Sequence, residues 1–384
     1  MKAYRVQQFG KPMAEEVLPD PTPVEKQVIV KVHACGLCHT DLHFHEGHIN
    51  LGGGAHLPLE AAGANLPLTL GHEIYGHILD YGPKAGLAEE DRGRPVIVYP
   101  WIGCGECEAC RNGLDNACLA PQSDHQNLGL QRPGGFGEKV VVRDPRFLVD
   151  AQGVDPSAGG IYACAGLTSY SALKKVPNRT GWTAIIGMGG VGLMGLAVAK
   201  GIGFEKVLAI DINDERLTLA ETEYGADLVA NSRNADITSA ILKKTSGINA
   251  VVDFVGSEQT SALALGLLSR GGTYVNVGLF GGELRIPLAA LTLRQLAIHG
   301  SFVGTLTEMR ELIDYVRAGK IKPIPIATAP IGSLNDRLAE LLAGKIQGRQ
   351  VLVHDAHSTQ IGERPRLQHP TVLTTVPSKV RHLA

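Results

Sequence analysis

Through about residue 150 the chain places apolar positions in short runs, broken every few residues by glycine, proline or charge. VIVKV at Val28–Val32, PVIVY at Pro95–Tyr99 and KVVV at Lys139–Val142 read as β-strands. The pattern predicts a β-rich domain with long loops, where functional side chains tend to gather. From about Ala165 strands alternate with helix-length segments. Apolar strands are expected at Ala184–Gly187, Val207–Asp211, Val251–Phe254 and Tyr274–Val277, with helices such as Glu215–Tyr224 and Gln259–Leu268 between them. Strand–helix alternation of this kind predicts a parallel, doubly wound sheet. Beyond about Gly300 the alternation weakens to a helix over Glu308–Ala318 and a closing strand over Gln350–His354. No internal repeat is visible. Residues 355–384 carry three prolines, mixed charge and no sustained apolar period, and read as a tail whose His357, His369 and His382 are too scattered for a metal site.

Composition narrows the classes of function. The 384 residues are 44% apolar and 19% charged, enough for two packed domains and no basis for disorder. A net charge of −2 gives no general attraction to nucleic acid or to an anionic membrane. The start, MKAYRVQQFGKP, lacks the apolar core of a secretory signal. The apolar uncharged run Ala184–Ala199 is too short for a membrane span and holds five glycines. A cytoplasmic protein is expected, and in a reducing cytosol clustered cysteines point to metal or redox chemistry rather than disulfides.

TAIIGMGGVGLMGLAVAKG supplies a strand, then Gly187-Met188-Gly189-Gly190-Val191-Gly192, then a helix. Glycines permit the tight turn and let backbone approach a pyrophosphate, which the helix N-terminus then holds. The next strand ends in Asp211, 19 residues after Gly192. A carboxylate there accepts hydrogen bonds from an adenosine ribose and repels a 2′-phosphate, favouring NAD over NADP, although nearby Arg216 softens the discrimination.

Two groups of metal-binding residues stand out. CGLCHTDLHFH (35–45) offers Cys38, LTLGHEIYG (68–76) offers His72 and Glu73, and ACAGLTSY (163–170) offers Cys164. A lone buried cysteine is usually a small hydrophobe. Together, however, Cys38, His72 and Cys164 make a catalytic-type set of three protein ligands with one position open. The pair Cys35–Cys38 is spaced as a C-x-x-C, but with no thioredoxin-like surroundings Cys35 reads as a core thiol. The second group is GCGECEACRNGLDNAC (103–118), spaced C-x₂-C-x₂-C-x₇-C. Its first three cysteines match an iron–sulfur run, but the fourth comes late and no proline follows it. Four thiolates without a histidine describe a closed tetrahedral zinc site.

In order along the chain, Cys38-His-Thr-Asp-Leu, Gly71-His72-Glu73, the 103–118 cluster, Cys164-Ala-Gly-Leu-Thr and the Gly187–Gly192 loop resemble the zinc-dependent medium-chain alcohol dehydrogenases. The resemblance spans about residues 2–354 and is nearest to the microbial NAD-dependent branch. It implies a GroES-like catalytic domain (1–164), a Rossmann coenzyme domain (165–299), a return segment (300–354) and the tail (355–384). It implies two zinc ions per subunit: a catalytic one on Cys38, His72 and Cys164, and a structural one on Cys104, Cys107, Cys110 and Cys118. Glu73 would be the carboxylate near the metal, and Asp41 would orient His72. Thr40 would hydrogen-bond the alcohol and pass its proton through the nicotinamide ribose to His43. His39 and Arg349 would contact the pyrophosphate, and Thr168 would lie against the nicotinamide. The implied reaction is reversible oxidation of primary, secondary or aromatic alcohols with NAD. A homo-oligomer, with a tetramer favoured, is expected.

An alcohol must lose its proton before hydride can leave its carbon. Zinc lowers the pKa of bound water from about 15.7 to about 7. A like shift for an alcohol is about 12 kcal/mol, beyond what hydrogen bonds alone supply. Structural zinc sites contribute about 10–16 kcal/mol in small peptides, comparable to a domain's whole stability of about 5–15 kcal/mol. Competing readings are a polyol dehydrogenase, weakened by Cys164 where those relatives use glutamate, an aldehyde-directed relative, and a non-catalytic zinc-stabilised binding protein. Between Cys38 and His72, GHINLGGGAHLPLEAAGANLPLTLG reads as a long Gly- and Ala-rich loop near the substrate cleft, shaping substrate size or subunit contacts. Trp101, Leu128 and the Leu279–Phe280 pair are expected in an apolar substrate pocket.

Overall fold

The computed structural model describes residues 1–121 and 124–354; the tail and its histidines lie outside the described residues. Two sheets organise the chain. A six-stranded, all-parallel sheet runs in the order Leu228–Asn231, Lys206–Asp211, Trp182–Ile186, Ile248–Asp253, Leu268–Asn276, Ala297–Gly300. The chain thus winds outward from a central first strand in both directions, leaving a crevice at the carboxyl ends where the direction reverses. Its strands are nearly continuous apolar runs because helices cover both faces: Ala184, Ile185, Leu208, Val251 and Val252 are fully buried.

The other sheet has seven strands and is mostly antiparallel. Its spine is the long strand Val28–Leu37 paired with Glu73–Tyr81, and it also recruits Pro95–Val98, Lys139–Val142 and Leu148–Asp150. Late in the chain, Ile326–Pro330 and Arg349–Val353 return to its edge, where Arg349–Val353 pairs antiparallel with Val28–Leu37. The fold is therefore mixed: a β-rich body with a parallel α/β sheet inserted into it.

Every strand and helix expected from the sequence is present within a few residues, although Val28–Val32 continues to Leu37. The main departure is the segment between Cys38 and His72. It is not an open loop: His48–Gly52 and Ala55–Pro58 form an antiparallel hairpin around Gly53 and Gly54, both at positive φ. A side chain at Gly52 would sit 2.3 Å from the carbonyl oxygen of Gly282, and one at Gly281 would meet Asn50 at 2.6 Å. The hairpin therefore bridges from the β-rich body to the loop that follows strand Leu268–Asn276.

At the head of the parallel sheet, Gly187 adopts φ of 90°, a conformation that favours glycine. A methyl group at Gly192 would fall 1.6 Å from the Gly187 carbonyl oxygen, a distance no side chain tolerates. Gly192→Ala is expected to push the helix Gly190–Gly201 off its strand, costing about 1–3 kcal/mol of stability. Thermal unfolding and NADH fluorescence titration together check this, with cofactor affinity falling at least about tenfold.

Candidate active site and metal clusters

Cys38 ends the long strand Val28–Leu37 and is the N-cap of the helix His39–Glu46. His72 and Glu73 begin the neighbouring strand, and Cys164 is the N-cap of the helix Ala165–Lys174. Three separate stretches of chain thus deliver Cys38 Sγ, a His72 ring nitrogen, a Glu73 carboxylate oxygen and Cys164 Sγ to within 4.8 Å of one another, all buried. The two sulfurs are 3.9 Å apart. That is nearly twice a disulfide bond of about 2.05 Å and matches the roughly 3.8 Å separating two thiolates held tetrahedrally on zinc at about 2.3 Å.

The electrostatics ask for a cation. His72 is fully buried, and both ring nitrogens lack a hydrogen-bond partner although Asp41 Oδ1 approaches Nδ1 at 3.3 Å. Burial opposes charge on His72, but the Asp41 carboxylate overrides it and holds the imidazole well above its usual pKa. The two thiols contend for one proton through their mutual hydrogen bond, so Cys38 is drawn below the ordinary thiol range and Cys164 pushed above it. An unpartnered imidazole nitrogen beside two thiols fits a zinc ion's preference for soft, deprotonated donors. Asp41 is itself fixed by accepting the Cys38 N–H at 2.9 Å and the Gly71 N–H at 3.2 Å.

Glu73 pairs with the guanidinium of Arg349, and burial pushes its carboxyl up to about 7 against the opposing pull of Arg349. The pair explains an otherwise odd glycine: a side chain at Gly36 would lie 1.9 Å from Glu73 Oε2. Arg349 also borders the glycine loop, since a methyl group at Gly190 would sit 2.6 Å from its Cδ. One buried arginine therefore touches both the metal cluster and the dinucleotide loop. Sequence alone pointed Arg349 only toward the pyrophosphate; its pairing with a residue 276 positions away had no local signal.

Around the cluster, Thr40 Oγ1 lies 3.8 Å from Cys38 Sγ, and His43 is one turn further along the same helix. Desolvation lowers the pKa of both His39 and His43. His39 is exposed, and Arg216 and Arg349 both bear on its charge. Thr168 sits one turn into the helix that Cys164 begins. Trp101 packs against His72 with ring centroids 5.4 Å apart and donates its indole N–H to the Ala163 carbonyl; Phe302 closes on its other side at 5.6 Å. Phe302 was not anticipated, and its isolated position in SFVG gave no pattern to read. Leu128 departs from expectation: it is buried among Ile102, Gln126 and Arg132 in a different cavity. Leu279 and Phe280 are exposed on the loop that meets the hairpin.

In the crevice of the parallel sheet, the glycine loop behaves as a cradle. A side chain at Gly189 would meet nothing within 4 Å, so space for a phosphate lies directly over the N-terminus of the helix Gly190–Gly201, where Val191 follows. Asp211 ends its strand at the expected place and is buried, accepting from the Met188 and Asn213 N–H groups. It ties the loop to the strand. Arg216 is half-buried in the helix that follows.

The four clustered cysteines lie in a small lobe. Cys104 and Cys110 sulfurs are 4.0 Å apart, and those of Cys107 and Cys118 are 3.9 Å apart, again close to tetrahedral thiolate spacing. Backbone N–H groups of Glu106 and Cys107 donate to Cys104 Sγ, and that of Leu119 donates to Cys107 Sγ. Donors aimed at sulfur favour the thiolate: the N–H of Cys110, then that of Leu119, draws Cys107 down to about 6. Two compact sets of donors, one of four cysteines and one with a histidine, are present among the described residues. Cys35 is buried in the core, where desolvation raises its pKa, and belongs to neither.

A doubly wound nucleotide sheet inserted in a β-rich body, with a buried Cys–His–Cys cluster, describes a two-domain, metal-binding dehydrogenase. Residues 24–152 match the alcohol dehydrogenase GroES-like domain and residues 190–318 the zinc-binding dehydrogenase domain. The chain is 34% identical to an NAD-dependent alcohol dehydrogenase of Sulfurisphaera tokodaii, over 92% of this chain and all of that one. Among solved structures, an alcohol dehydrogenase of Aeropyrum pernix superposes with a TM-score of 0.81 at 32% identity, covering 92% of this chain and 100% of its own. An acetophenone reductase of Geotrichum candidum in complex with NAD superposes with a TM-score of 0.79 at 29% identity, covering 92% and 96%. The chain belongs to the zinc-binding medium-chain alcohol dehydrogenases and is an oxidoreductase.

The two clusters should separate experimentally. Cys107→Ser is expected to remove one of two zinc equivalents, measured by elemental analysis, and to lower the unfolding temperature by about 5 °C, on the order of 4 kcal/mol for a chain this size. Cys38→Ser should remove the other equivalent and abolish turnover while leaving the lobe's protease resistance intact.

Proposed function

We propose that the protein oxidises alcohols to aldehydes or ketones with NAD as acceptor, and reduces them in reverse, at the cluster of Cys38, His72 and Cys164. The observation that carries this reading is the buried, unpartnered His72 ring beside two thiols held 3.9 Å apart, linked to the glycine loop through Arg349. Zinc on these residues would act as a Lewis acid toward the alcohol oxygen, and NAD would supply the hydride acceptor.

The chain's own groups divide the remaining work. Asp41 fixes the His72 ring, so that one nitrogen faces the sulfurs. Thr40, beside Cys38, accepts the hydrogen bond of the substrate hydroxyl, and His43 takes up the proton near the surface. Glu73, held by Arg349, balances charge behind the cluster, and Arg349 ties that balance to the loop that binds the cofactor phosphates. His39 contacts the same phosphates, Thr168 backs the nicotinamide, and Asp211 selects NAD at the ribose, with Arg216 nearby softening that choice. Cys104, Cys107, Cys110 and Cys118 hold a second zinc with a structural role, supported by their N–H···S network.

Trp101 and Phe302 give the substrate side of the cluster an aromatic wall. This supports primary aliphatic and aromatic alcohols as substrates, with secondary alcohols secondary in rate. The hairpin His48–Pro58, lying against the 281–283 loop, limits substrate size at the mouth of the crevice. A homo-oligomer, a tetramer in this reading, is supported by the edge strand Ala297–Gly300, which has no pairing strand on one side among the described residues, contains exposed Ile298 and follows a helix with exposed Leu288 and Leu293. Seven free cysteines support a reducing, cytoplasmic location, and no helix among the described residues is long and apolar enough to cross a membrane.

The test is a rate panel of the zinc-loaded protein with NAD and NADP over ethanol, benzyl alcohol, 2-propanol and sorbitol. Benzyl alcohol with NAD should give the highest kcat/KM, at least about tenfold above sorbitol or NADP, a difference of roughly 1.4 kcal/mol. Absence of NAD reduction by every alcohol would overturn the reading. The pH profile tests the proton path separately. Desolvation lowers the pKa of His43 below 6.5, so the neutral, proton-accepting form dominates above that pH and is lost as pH falls through the lowered value. Alcohol oxidation should therefore gain an acid limb below pH 6.5 that His43→Gln removes, with kcat at neutral pH reduced about tenfold or more.

A further inference from the structure

A second cavity lies in the β-rich body, apart from the metal cluster and the glycine loop, with a volume near 360 Å³. That falls within the range of small-molecule sites, about 300–1,000 Å³. It opens where the cysteine lobe, the 126–133 turn and the strand Lys139–Val142 meet the start of the chain. Four cationic side chains line it, Arg5, Arg132, Lys139 and Arg143, and no acidic residue does.

These cations are not equally satisfied. Arg5 is paired with Glu16 at 2.9 Å and Lys139 with Asp20 at 2.7 Å. Arg132 and Arg143 form no ion pair among the described residues. Arg132 donates from Nε to the Gln126 side-chain carbonyl and from Nη1 to the Gln131 carbonyl. Arg143 donates from Nη1 to the carbonyls of Gly103 and Cys104. All four acceptors are neutral, so neither guanidinium is matched by a carboxylate, and Nη2 of each makes no hydrogen bond among the described residues. A planar fork of this kind matches a carboxylate in bidentate geometry.

The rest of the lining is largely apolar: Ile102 and Leu128 are buried beneath the opening, Val141 and Leu18 are half-buried, and Pro133 borders it. A small inorganic anion would satisfy the arginines but leave this surface wetted. An anion with a hydrocarbon body satisfies both. We propose that the cavity binds a small monocarboxylate with an aliphatic or aromatic body, its carboxylate held by Arg132 and Arg143 and its body against Ile102, Leu128 and Val141. The cavity abuts two supports of the catalytic unit: Arg143 holds carbonyls of the cysteine lobe, and Thr69 lines the cavity three residues ahead of His72. A ligand here is placed to report on both without entering the crevice.

The test is calorimetric titration of the zinc-loaded enzyme with hexanoate, hexanol and inorganic phosphate, repeated on Arg132→Gln and Arg143→Gln. Neither arginine belongs to the catalytic machinery, so both variants should retain alcohol oxidation. The proposal expects one hexanoate per subunit, at least tenfold weaker binding of hexanol and of phosphate, and at least tenfold weaker hexanoate binding in each variant. Should Arg143→Gln lose zinc from the lobe, Arg132→Gln decides alone. Hexanoate bound equally by the wild type and Arg132→Gln would overturn the proposal, as would phosphate binding as tight as hexanoate. Hexanoate binding in the catalytic crevice only, shown by undiminished affinity in both variants and competition with alcohol, would overturn it too.

Discussion

Donor atoms brought together away from water need a cation, and the central cluster shows that need throughout. Cys38, His72, Glu73 and Cys164 are all buried, and their ligating atoms fall within 4.8 Å. Among them, two thiols lie within hydrogen-bonding distance at 3.9 Å and a buried imidazole has neither nitrogen hydrogen-bonded. Burying polar groups in that state is costly, so the fold is committed to filling the site. Much of the surrounding architecture follows. The spine strand must end just before Cys38, its neighbour must begin just after His72, and residue 36 must be glycine to let the Glu73 carboxylate approach.

The arginine at position 349 connects this demand to the second half of the molecule. It enters from a strand that returns to the β-rich sheet only after the whole parallel sheet has been built. There it neutralises Glu73 and leans on the glycine loop. Metal cluster and cofactor crevice are thus coupled through one buried ion pair. The cysteine lobe stands outside this coupling. The Cys104, Cys107 and Cys118 sulfurs accept N–H donors of their own segment, and Arg143 holds the Gly103 and Cys104 carbonyls. The most conspicuous cysteine run in the sequence is therefore the one farther from the proposed reaction.

What the sequence revealed depended on whether burial wrote a pattern into it. The central strands Trp182–Ile186, Lys206–Asp211 and Ile248–Asp253 are buried on both faces and announce themselves as apolar runs. The edge strands Leu228–Asn231 and Ala297–Gly300 are half-buried or exposed, so no such run marks them. The hairpin His48–Pro58 was hidden for the same reason, with glycines where a packed strand would place branched residues. The helix Leu334–Leu342 did carry a legible stripe, Leu334, Leu338 and Leu341, that the strand–helix count passed over. In the site, residue types at set spacings pointed to the ligand set, while contacts across the fold, Glu73 with Arg349 and Trp101 with Phe302, had no expression in local sequence.

The central claim is that a metal ion sits among Cys38, His72 and Cys164 and that the chemistry happens there. Anomalous diffraction from crystals of the zinc-loaded protein, collected on both sides of the zinc absorption edge, tests it most directly. The account predicts two peaks per chain, one bounded by the sulfurs of Cys38 and Cys164 and a nitrogen of His72, the other by the four lobe sulfurs. A single peak in the lobe, with the Cys38 and Cys164 sulfurs still about 4 Å apart or joined as a disulfide of about 2.05 Å, would contradict it.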